Sequence, residues 1–284
     1  MGKRRQQVRL VGLALALALV AAACGGGDDE GGGGGEQQAT PEKGGVLRTA
    51  ISDFGFTNGF DPTGEYVAVA IGLYGAMERT LMGTKHIAGP PGNELVPDLA
   101  EAAPEISSDG LKYTFKLKPG VKWAPPLNRD VTSADVAYAF QRINTAPLVA
   151  QYGFYYNGVI KGMDGKAKSA DTKISGIETP DDQTIIFNLE KPTGDFLYRL
   201  NMPAAAPIPE EVGKCFTKAG DYGRYVMSSG SYMIQGSDKL DISSCDAMKP
   251  ISGFDPSKSL TLVRNPNYDQ PPTTPGPTTS TASP

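Results

Sequence analysis

Histidine and cysteine are scarce in this chain, and its many carboxylates show no catalytic spacing. Its single histidine, His86, lies in a stretch of Gly, Thr, Lys and Pro residues that predicts a surface loop. The small residues of 228–231 predict a turn before a strand, and a serine there has no histidine to activate it. No G-x-S-x-G, Walker, H-E-x-x-H or C-x-x-C pattern occurs, and no carboxylate spacing marks an acid–base pair. The sequence therefore predicts no enzyme, no cofactor and no metal site.

Cys24 has the most informative surroundings of any reactive side chain. It follows Ala21–Ala23 at the end of an apolar run that begins at Leu10, and four basic residues precede that run. A basic start, a short apolar segment and small residues at its end are typical of a secretory signal peptide, and the run is too short to span a bilayer. Cysteine at this place resembles a bacterial lipobox. We predict a signal peptide over 1–23 and a lipid anchor on Cys24; an ordinary signal peptide, with Cys24 incidental, is the alternative.

The sequence after Cys24 predicts a tether between the membrane and the folded part. Residues 24–43 hold two glycine runs with acidic residues between and after them, which is typical of a flexible linker. Loss of residues 1–23 would lower Lys+Arg from 27 to 23 against 31 Asp+Glu, a net charge of −8. This balance argues against nucleic acid as a partner. We expect a protein held by its lipid at the outer face of the cytoplasmic membrane, in the periplasmic space.

The two remaining cysteines, Cys215 and Cys245, form an even pair in a chain predicted to be exported. Such a pair favours a disulfide, and closing a loop of about 30 residues would stabilise the fold by roughly 3–4 kcal/mol. Two free thiols are the alternative.

Strand patterns recur between residues 44 and 269, which the sequence predicts to be the folded part. Tyr113–Lys118 alternates apolar and polar side chains, and three further segments have strand composition: Val46–Ile51, Thr184–Leu189 and Ser259–Val263. Residues 270–284 are almost wholly Pro, Thr, Ser, Gly and Ala, a composition typical of a disordered tail.

Two apolar stripes have helical spacing, and we expect both to face the core. One comprises Tyr66, Val69, Ala70, Leu73 and Met77. The other comprises Val136, Ala139, Phe140 and Ile143, and it follows Thr132 and Asp135, which have capping-box spacing. Strands and helices without strict alternation predict an α/β or α+β fold.

An aromatic cluster occupies 151–157 and includes Tyr152 and Phe154, while Trp123 stands alone before Ala124-Pro125-Pro126. Rigid aromatic rings beside polar amides suit a cleft that holds a small molecule. The same rings could simply cover a core, and the sequence leaves both interpretations open.

Several blocks in a fixed order resemble one family, the bacterial extracellular solute-binding proteins of family 5, which serve ABC importers of peptides and nickel. The four blocks that carry most of the resemblance are Glu94–Glu101, Ser108–Leu117, Pro119–Trp123 and Val131–Phe140. Shorter matches are Phe60–Pro62, Glu178–Thr184 and Leu262–Tyr268. Within them, Asp109-Gly110 reads as a hairpin turn, Thr132 as a helix cap and Arg264-Asn265-Pro266 as the end of a strand.

The resemblance implies an α/β, periplasmic-binding-protein-like fold of class II. Family members are much longer, so we expect 44–269 to be a partial family 5 domain: the first lobe with its inserted subdomain, the second lobe missing. By approximate position in the family, the ligand-binding candidates are Asp53, Phe54, Gly55, Tyr152 and Phe154.

The implied function is that of a lipid-anchored, extracytoplasmic substrate-binding component that delivers a peptide or other small solute to ABC permease subunits. The alternative is a membrane-anchored interaction or scaffold protein derived from such a receptor, without a transport role. Because one lobe offers roughly half of the contacts, we expect this chain alone to bind peptides no more tightly than about millimolar.

Overall fold

The computed structural model describes residues 44–50, 56, 58–85 and 87–268. The chain divides into two units, the first ending at Ala50, and the described residues of that unit form neither helix nor strand. The strand predicted from Val46 is therefore wrong as far as Ala50, because none of the described residues pairs with it. The predictions for Cys24, His86, Asp53, Phe54 and Gly55, the linker and the tail lie outside the described residues.

The described part of the second unit holds short strands and mostly short helices. The strands are β1 (Met82–Thr84), β2 (Leu95–Pro97), β3 (Glu105–Ile106), β4 (Lys112–Lys116), β5 (Ile177–Asp181), β6 (Thr184–Asn188), β7 (Tyr232–Ile234), β8 (Phe254–Asp255), β9 (Ser259–Leu260) and β10 (Leu262–Arg264). The α-helices are α1 (Ala68–Met77), α2 (Ser133–Ile143), α3 (Gly153–Tyr156), α4 (Phe196–Arg199) and α5 (Glu210–Gly213). Short 3-10 helices cover Pro90–Asn93, Ala146–Leu148, Pro203–Ala205, Asp221–Arg224 and Ser237–Lys239. Among these helices none has the length and apolar character needed to cross a bilayer.

An antiparallel sheet of four strands, in the order β3-β4-β6-β5, is the largest in the described part of the chain. In β4 the side chains of Tyr113 and Phe115 are buried and their neighbours are not, as the predicted alternation requires. Phe115 pairs with Ile185 of β6, and Tyr113 pairs with Phe187. The strands predicted near 113–118 and 184–189 are thus confirmed, and so is the Asp109-Gly110 turn, where Gly110 has φ +70°.

Helix α2 packs against this sheet, and its start is fixed by the predicted capping box. The Asp135 carboxylate accepts the Thr132 backbone N–H at 2.9 Å and the Trp123 indole N–H at 3.1 Å. Trp123 is fully buried, so it belongs to the core and does not line a cleft. The Phe140 ring of α2 meets Phe187 edge-on at 5.2 Å, which joins the helix to the sheet.

Helix α1 forms where predicted, but the face that it buries differs from the prediction. Ala70, Tyr74 and Met77 are buried, whereas Tyr66 precedes the helix and is exposed. The sequence of α1 contains only apolar residues, tyrosine and glycine. A helix that is apolar on all sides offers no pattern that selects one face, so its neighbours decide which side is buried.

The strand predicted over Ser259–Val263 is split into β9 and β10 at Thr261. The Thr261 N–H donates to the Gly253 carbonyl, and its own carbonyl accepts the Gln235 N–H. Two different partner segments therefore divide the run between two small sheets, β8–β9 and β7–β10. As predicted, β10 ends before Asn265 and Pro266.

A disulfide joins Cys215 to Cys245, whose Cα atoms lie 5.2 Å apart. Cys215 follows α5, so the bridge ties the end of that helix to the loop beyond β7.

A buried ion pair holds together segments that are distant in sequence. Arg142 of α2 donates from Nη2 to Asp61 Oδ2 at 2.8 Å, and both side chains are 1% exposed. Arg142 also donates to Thr63 Oγ1 and to the carbonyls of Gly213 and Phe216. One guanidinium thus connects the segment before α1, helix α2 and the end of α5.

We predict that Asp61→Asn will lower the free energy of unfolding by roughly 3 kcal/mol, because the buried Arg142 charge loses its counter-ion. Urea denaturation followed by circular dichroism measures this change. Glu94→Gln is the matched control: it breaks the exposed Lys85–Glu94 pair and should cost less than about 1 kcal/mol. Equal losses in the two variants would contradict the assigned role of the buried pair.

Candidate functional site

Four aromatic side chains, Tyr66, Tyr152, Phe154 and Tyr155, form a continuous patch that we call the aromatic surface. The Tyr66 and Tyr155 hydroxyls are hydrogen-bonded at 2.7 Å. The Tyr66 ring lies 4.8 Å from Tyr152 and 6.3 Å from Phe154, centroid to centroid. Phe154 and Tyr155 are 4.1 Å apart. Rings from two segments separated by more than 80 residues therefore meet at one place on the protein.

Local backbone contacts hold each part of the aromatic surface in position. The Tyr66 N–H donates to Glu65 Oε1 at 3.1 Å, just before α1 begins. On the other side, Tyr155 lies in α3, and its carbonyl accepts a hydrogen bond from the Arg199 guanidinium of α4. The Tyr156 hydroxyl returns a hydrogen bond to the Arg199 carbonyl at 2.7 Å. Helix α3 is thereby fixed to α4, although it is only four residues long.

The members of the aromatic surface differ greatly in exposure. Phe154 is 66% exposed and Tyr66 is 41% exposed, whereas Tyr152 is only 2% exposed. Phe154 can therefore contact a bound molecule directly, while Tyr152 supports the rings above it from the core. Of the predicted ligand-binding residues, the structure brings Tyr152 and Phe154 together, and Asp53, Phe54 and Gly55 lie outside the described residues.

Two members of the aromatic surface, Tyr66 and Tyr155, are not among the residues that the sequence predicts to bind a ligand. The apolar spacing places Tyr66 in the core stripe of α1, and Tyr155 belongs to the 151–157 aromatic cluster. The spacing of Tyr66 from α1 residues gave a helical pattern, but the helix begins only at Ala68. The one available signal was the tyrosine itself, since an exposed tyrosine offers both an apolar face and a hydroxyl.

Helix α1, which follows Tyr66 in the chain, has an exposed strip made of one apolar side chain and two glycines. Ile71 is exposed, and so are Gly72 and Gly75. A Cβ atom added at either glycine would meet nothing within 4 Å, so another molecule can approach the helix backbone closely there.

Acidic groups lie beneath the aromatic surface and shape its electrostatics. Glu65 is fully buried and accepts the Asn58 N–H at 2.9 Å. Burial is the largest cause that raises the pKa of Tyr152, and the charges of Glu65 and Glu78 contribute. The hydrogen bond with Tyr155 is the main cause that raises the pKa of Tyr66. Both hydroxyls therefore stay protonated at neutral pH, so that each can donate as well as accept a hydrogen bond.

This arrangement is suited to binding rather than to chemical catalysis. It offers ring faces and neutral hydroxyls, which hold a ligand by contact area and a few hydrogen bonds. Within the described ranges, no cluster of three or more His, Cys, Asp or Glu side chains could hold a metal ion.

A family model described as "Bacterial extracellular solute-binding proteins, family 5 Middle" matches residues 94–276, which is more than half of the chain. The chain belongs to this family. The matched range includes the four-stranded sheet, α2 and most of the aromatic surface, and the predicted resemblance is confirmed.

Among curated proteins, the Dipeptide-binding protein of Escherichia coli strain K12 is 31% identical over 159 residues, which cover 55% of this chain and 27% of that protein. Heme-binding protein A of Haemophilus influenzae is 34% identical over 133 residues, which cover 45% of this chain and 23% of that protein. The match thus spans only about a quarter of the length of these relatives.

Solved structures agree on the fold. "Clavulanic acid biosynthesis oligopeptide binding protein 2" matches with a TM-score of 0.63 and 28% identity, over 76% of this chain and 35% of that one. "Listeria monocytogenes OppA bound to peptide" matches with a TM-score of 0.56 and 22% identity, and the match covers 74% of this chain and 37% of that one. The predicted α/β binding-protein fold is confirmed, and the matched region corresponds to roughly one third of each of these structures.

We predict that Tyr152→Ala lowers the free energy of unfolding by about 3 kcal/mol, because it leaves a cavity in the core. Phe154→Ala removes a largely exposed ring and should change the free energy of unfolding by less than about 1 kcal/mol. Thermal and urea denaturation of the two variants measure the difference. If Phe154→Ala were as destabilising as Tyr152→Ala, Phe154 would be a packing residue, and its place on a binding surface would be refuted.

Proposed function

We propose that this protein is the lipid-anchored, extracytoplasmic substrate-binding component of an ABC importer for peptides or similar solutes. The observation that carries the proposal is the aromatic surface, an exposed set of rings on a fold that belongs to family 5. Several similar proteins are named as peptide-binding proteins, which supports a peptide as the solute.

The chemistry of the aromatic surface fits a peptide. Phe154 and Tyr66 present apolar area to side chains, and the paired hydroxyls of Tyr66 and Tyr155 can exchange hydrogen bonds with peptide amides. The buried Glu65 precedes Tyr66 in the chain, and a free peptide carries an ammonium group at its amino terminus, which a carboxylate there would attract.

The described residues supply one wall of such a site. Solute-binding proteins of two lobes enclose their ligand by closing one lobe over the other, and affinity depends on that enclosure. A loss of about 4–5 kcal/mol takes a micromolar site to the millimolar range. We therefore propose that this chain by itself binds peptides with a dissociation constant of about 1 mM or weaker.

The first test is an NMR titration of the chain with a pool of di- and tripeptides at millimolar concentrations. We expect saturable shifts of backbone amide signals near Tyr66 and in α3, because those residues form the exposed wall. Phe154→Ala should reduce the shifts and weaken binding at least threefold. The matched control is Ile106→Ala, which truncates another exposed apolar side chain, on β3 at the edge of the sheet.

Two outcomes would contradict the peptide proposal. One is the absence of any saturable shift in the aromatic surface, which would favour the alternative role as an anchored interaction protein. The other is equal weakening by Ile106→Ala and Phe154→Ala, which would indicate nonspecific apolar contact. Micromolar binding that Phe154→Ala abolishes would keep the peptide function and refute only the weak-affinity expectation.

The lipid anchor is a separate proposal with its own prediction. We expect Cys24→Ser to prevent acylation, because the thiol that would carry the diacylglycerol is removed. Metabolic labelling with a fatty acid and fractionation of the membrane measure the effect. Unchanged labelling and unchanged membrane retention in the variant would refute the anchor. Cys245→Ser provides the control, since it removes a cysteine of the described fold and should leave labelling intact.

A further inference from the structure

A cavity of about 220 Å³ lies beside the end of helix α1, and its lining is acidic. Two carboxylates, those of Glu78 and Asp98, line it together with Tyr74, Thr80 and Asn201. No lysine or arginine is among the lining residues. At about 30 Å³ per water, this volume equals roughly seven waters, which is enough for a short alkyl chain with a charged end.

Two buried polar atoms at this cavity lack a partner in the described part of the chain. They are Glu78 Oε2 and the hydroxyl oxygen of Tyr74, a residue that is 1% exposed. Leaving a buried polar group without a hydrogen bond is costly, and the cost is largest for a group that can carry charge. Both atoms therefore remain without a hydrogen-bond donor in the described structure, although both residues line the cavity.

The acidic groups around Glu78 differ in how they are neutralised. Asp98 Oδ1 accepts Arg79 Nε at 2.9 Å, and Asp61 is paired with Arg142. No Lys or Arg of the described ranges forms an ion pair with Glu78. Burial is the main cause that raises the pKa of Glu78 well above its ordinary value of 4.5, and the charge of Asp61 adds to it.

The end of α1 gives the cavity a further preference for a positive charge. The helix ends at Met77 and Glu78 is its C-cap, so the negative end of the helix dipole lies beside the carboxylate. An acidic side chain at a helix C-terminus is unfavourable unless a cation accompanies it.

We propose that this cavity binds a primary alkylammonium group, with Glu78 as its charged partner and the Tyr74 hydroxyl as a hydrogen-bond acceptor. A primary ammonium is a compact charge with three donors at the end of a flexible stem, and it would supply donors to the two unpartnered oxygens of residues that line the cavity. Lysine side chains and free amines share this chemistry. Binding would take up the cation and release the Glu78 proton to solvent.

The experiment titrates the full chain with n-butylammonium chloride and follows the Glu78 carboxyl carbon by NMR. We expect a saturable change and a lowered pKa of Glu78 in the presence of the amine, because the cation favours the ionised carboxylate. The affinity for n-butylammonium should rise with pH over the range in which the Glu78 carboxyl group loses its proton. The other titratable groups near Glu78 are Tyr74, Tyr152 and Tyr222, which burial keeps protonated, and the paired Asp61 and Asp98.

Glu78→Gln should weaken the binding of n-butylammonium at least tenfold, and Tyr74→Phe should weaken it several-fold. Glu105→Gln, on an exposed strand, is the matched control and should leave the affinity for n-butylammonium unchanged. Glu78→Gln should also fold well. Because the pKa of Glu78 is raised in the folded state, the wild-type protein loses stability as the pH rises above 4.5. The neutral amide of the variant avoids that loss. Urea denaturation at pH 5 and pH 8 measures this difference.

Further probes identify the source of the ammonium group. If N-acetyl-lysine amide changes the Glu78 signal and N-acetyl-norleucine amide does not, the cavity accepts a lysine side chain. If n-butylammonium alone changes the signal, the cavity accepts a free amine. Equal effects of n-butanol or KCl would overturn the assignment to an alkylammonium. An unchanged affinity in Glu78→Gln, or no saturable change at all, would overturn the site. The effect of n-butylammonium on Glu78 does not require Phe154, so Phe154→Ala should leave it unchanged, and either proposal can fail alone.

Discussion

The ion pair between Asp61 and Arg142 is the constraint on which the described fold depends most. The two residues are 81 positions apart, both side chains are almost fully buried, and the guanidinium has partners in two segments besides its own helix. A buried charge without its partner is strongly unfavourable, so these segments can pack only in the arrangement that satisfies it. The segment before α1, which carries Tyr66, is thus held at a defined distance from α2.

The geometry of the aromatic surface depends on this arrangement. Tyr66 lies a few residues beyond Asp61, and it reaches Tyr155 only because α3 is fixed to α4 through Arg199. The exposed rings therefore stand on a rigid support, although the elements that carry them are short. Pre-organised aromatic groups lose little conformational entropy on binding, which would favour the binding proposed for this surface.

Burial also separates two kinds of tyrosine within a few residues. Tyr156 is fully buried and donates to the Arg199 carbonyl, whereas Tyr155 keeps part of its ring exposed and shares its hydroxyl hydrogen bond with Tyr66. At the acidic cavity beside α1, by contrast, the buried Glu78 Oε2 and the Tyr74 hydroxyl have no hydrogen-bond partner in the described part of the chain. Among the described residues, eight buried side-chain atoms lack a hydrogen-bond partner, and these two are the ones that belong to residues lining the cavity.

The amino-acid sequence by itself determined the local elements and the family. The alternation in β4, the capping box of α2, the turn at Gly110 and the end of β10 all follow from interactions between near neighbours. Only the tertiary structure decided which aromatic residues are exposed. Phe154 is exposed and Tyr152 is buried although they are two positions apart, because Tyr66 and α1 arrive from a distant part of the chain. For the same reason the buried face of the uniformly apolar α1, the core position of Trp123 and the break at Thr261 depended on partners that no local pattern reveals.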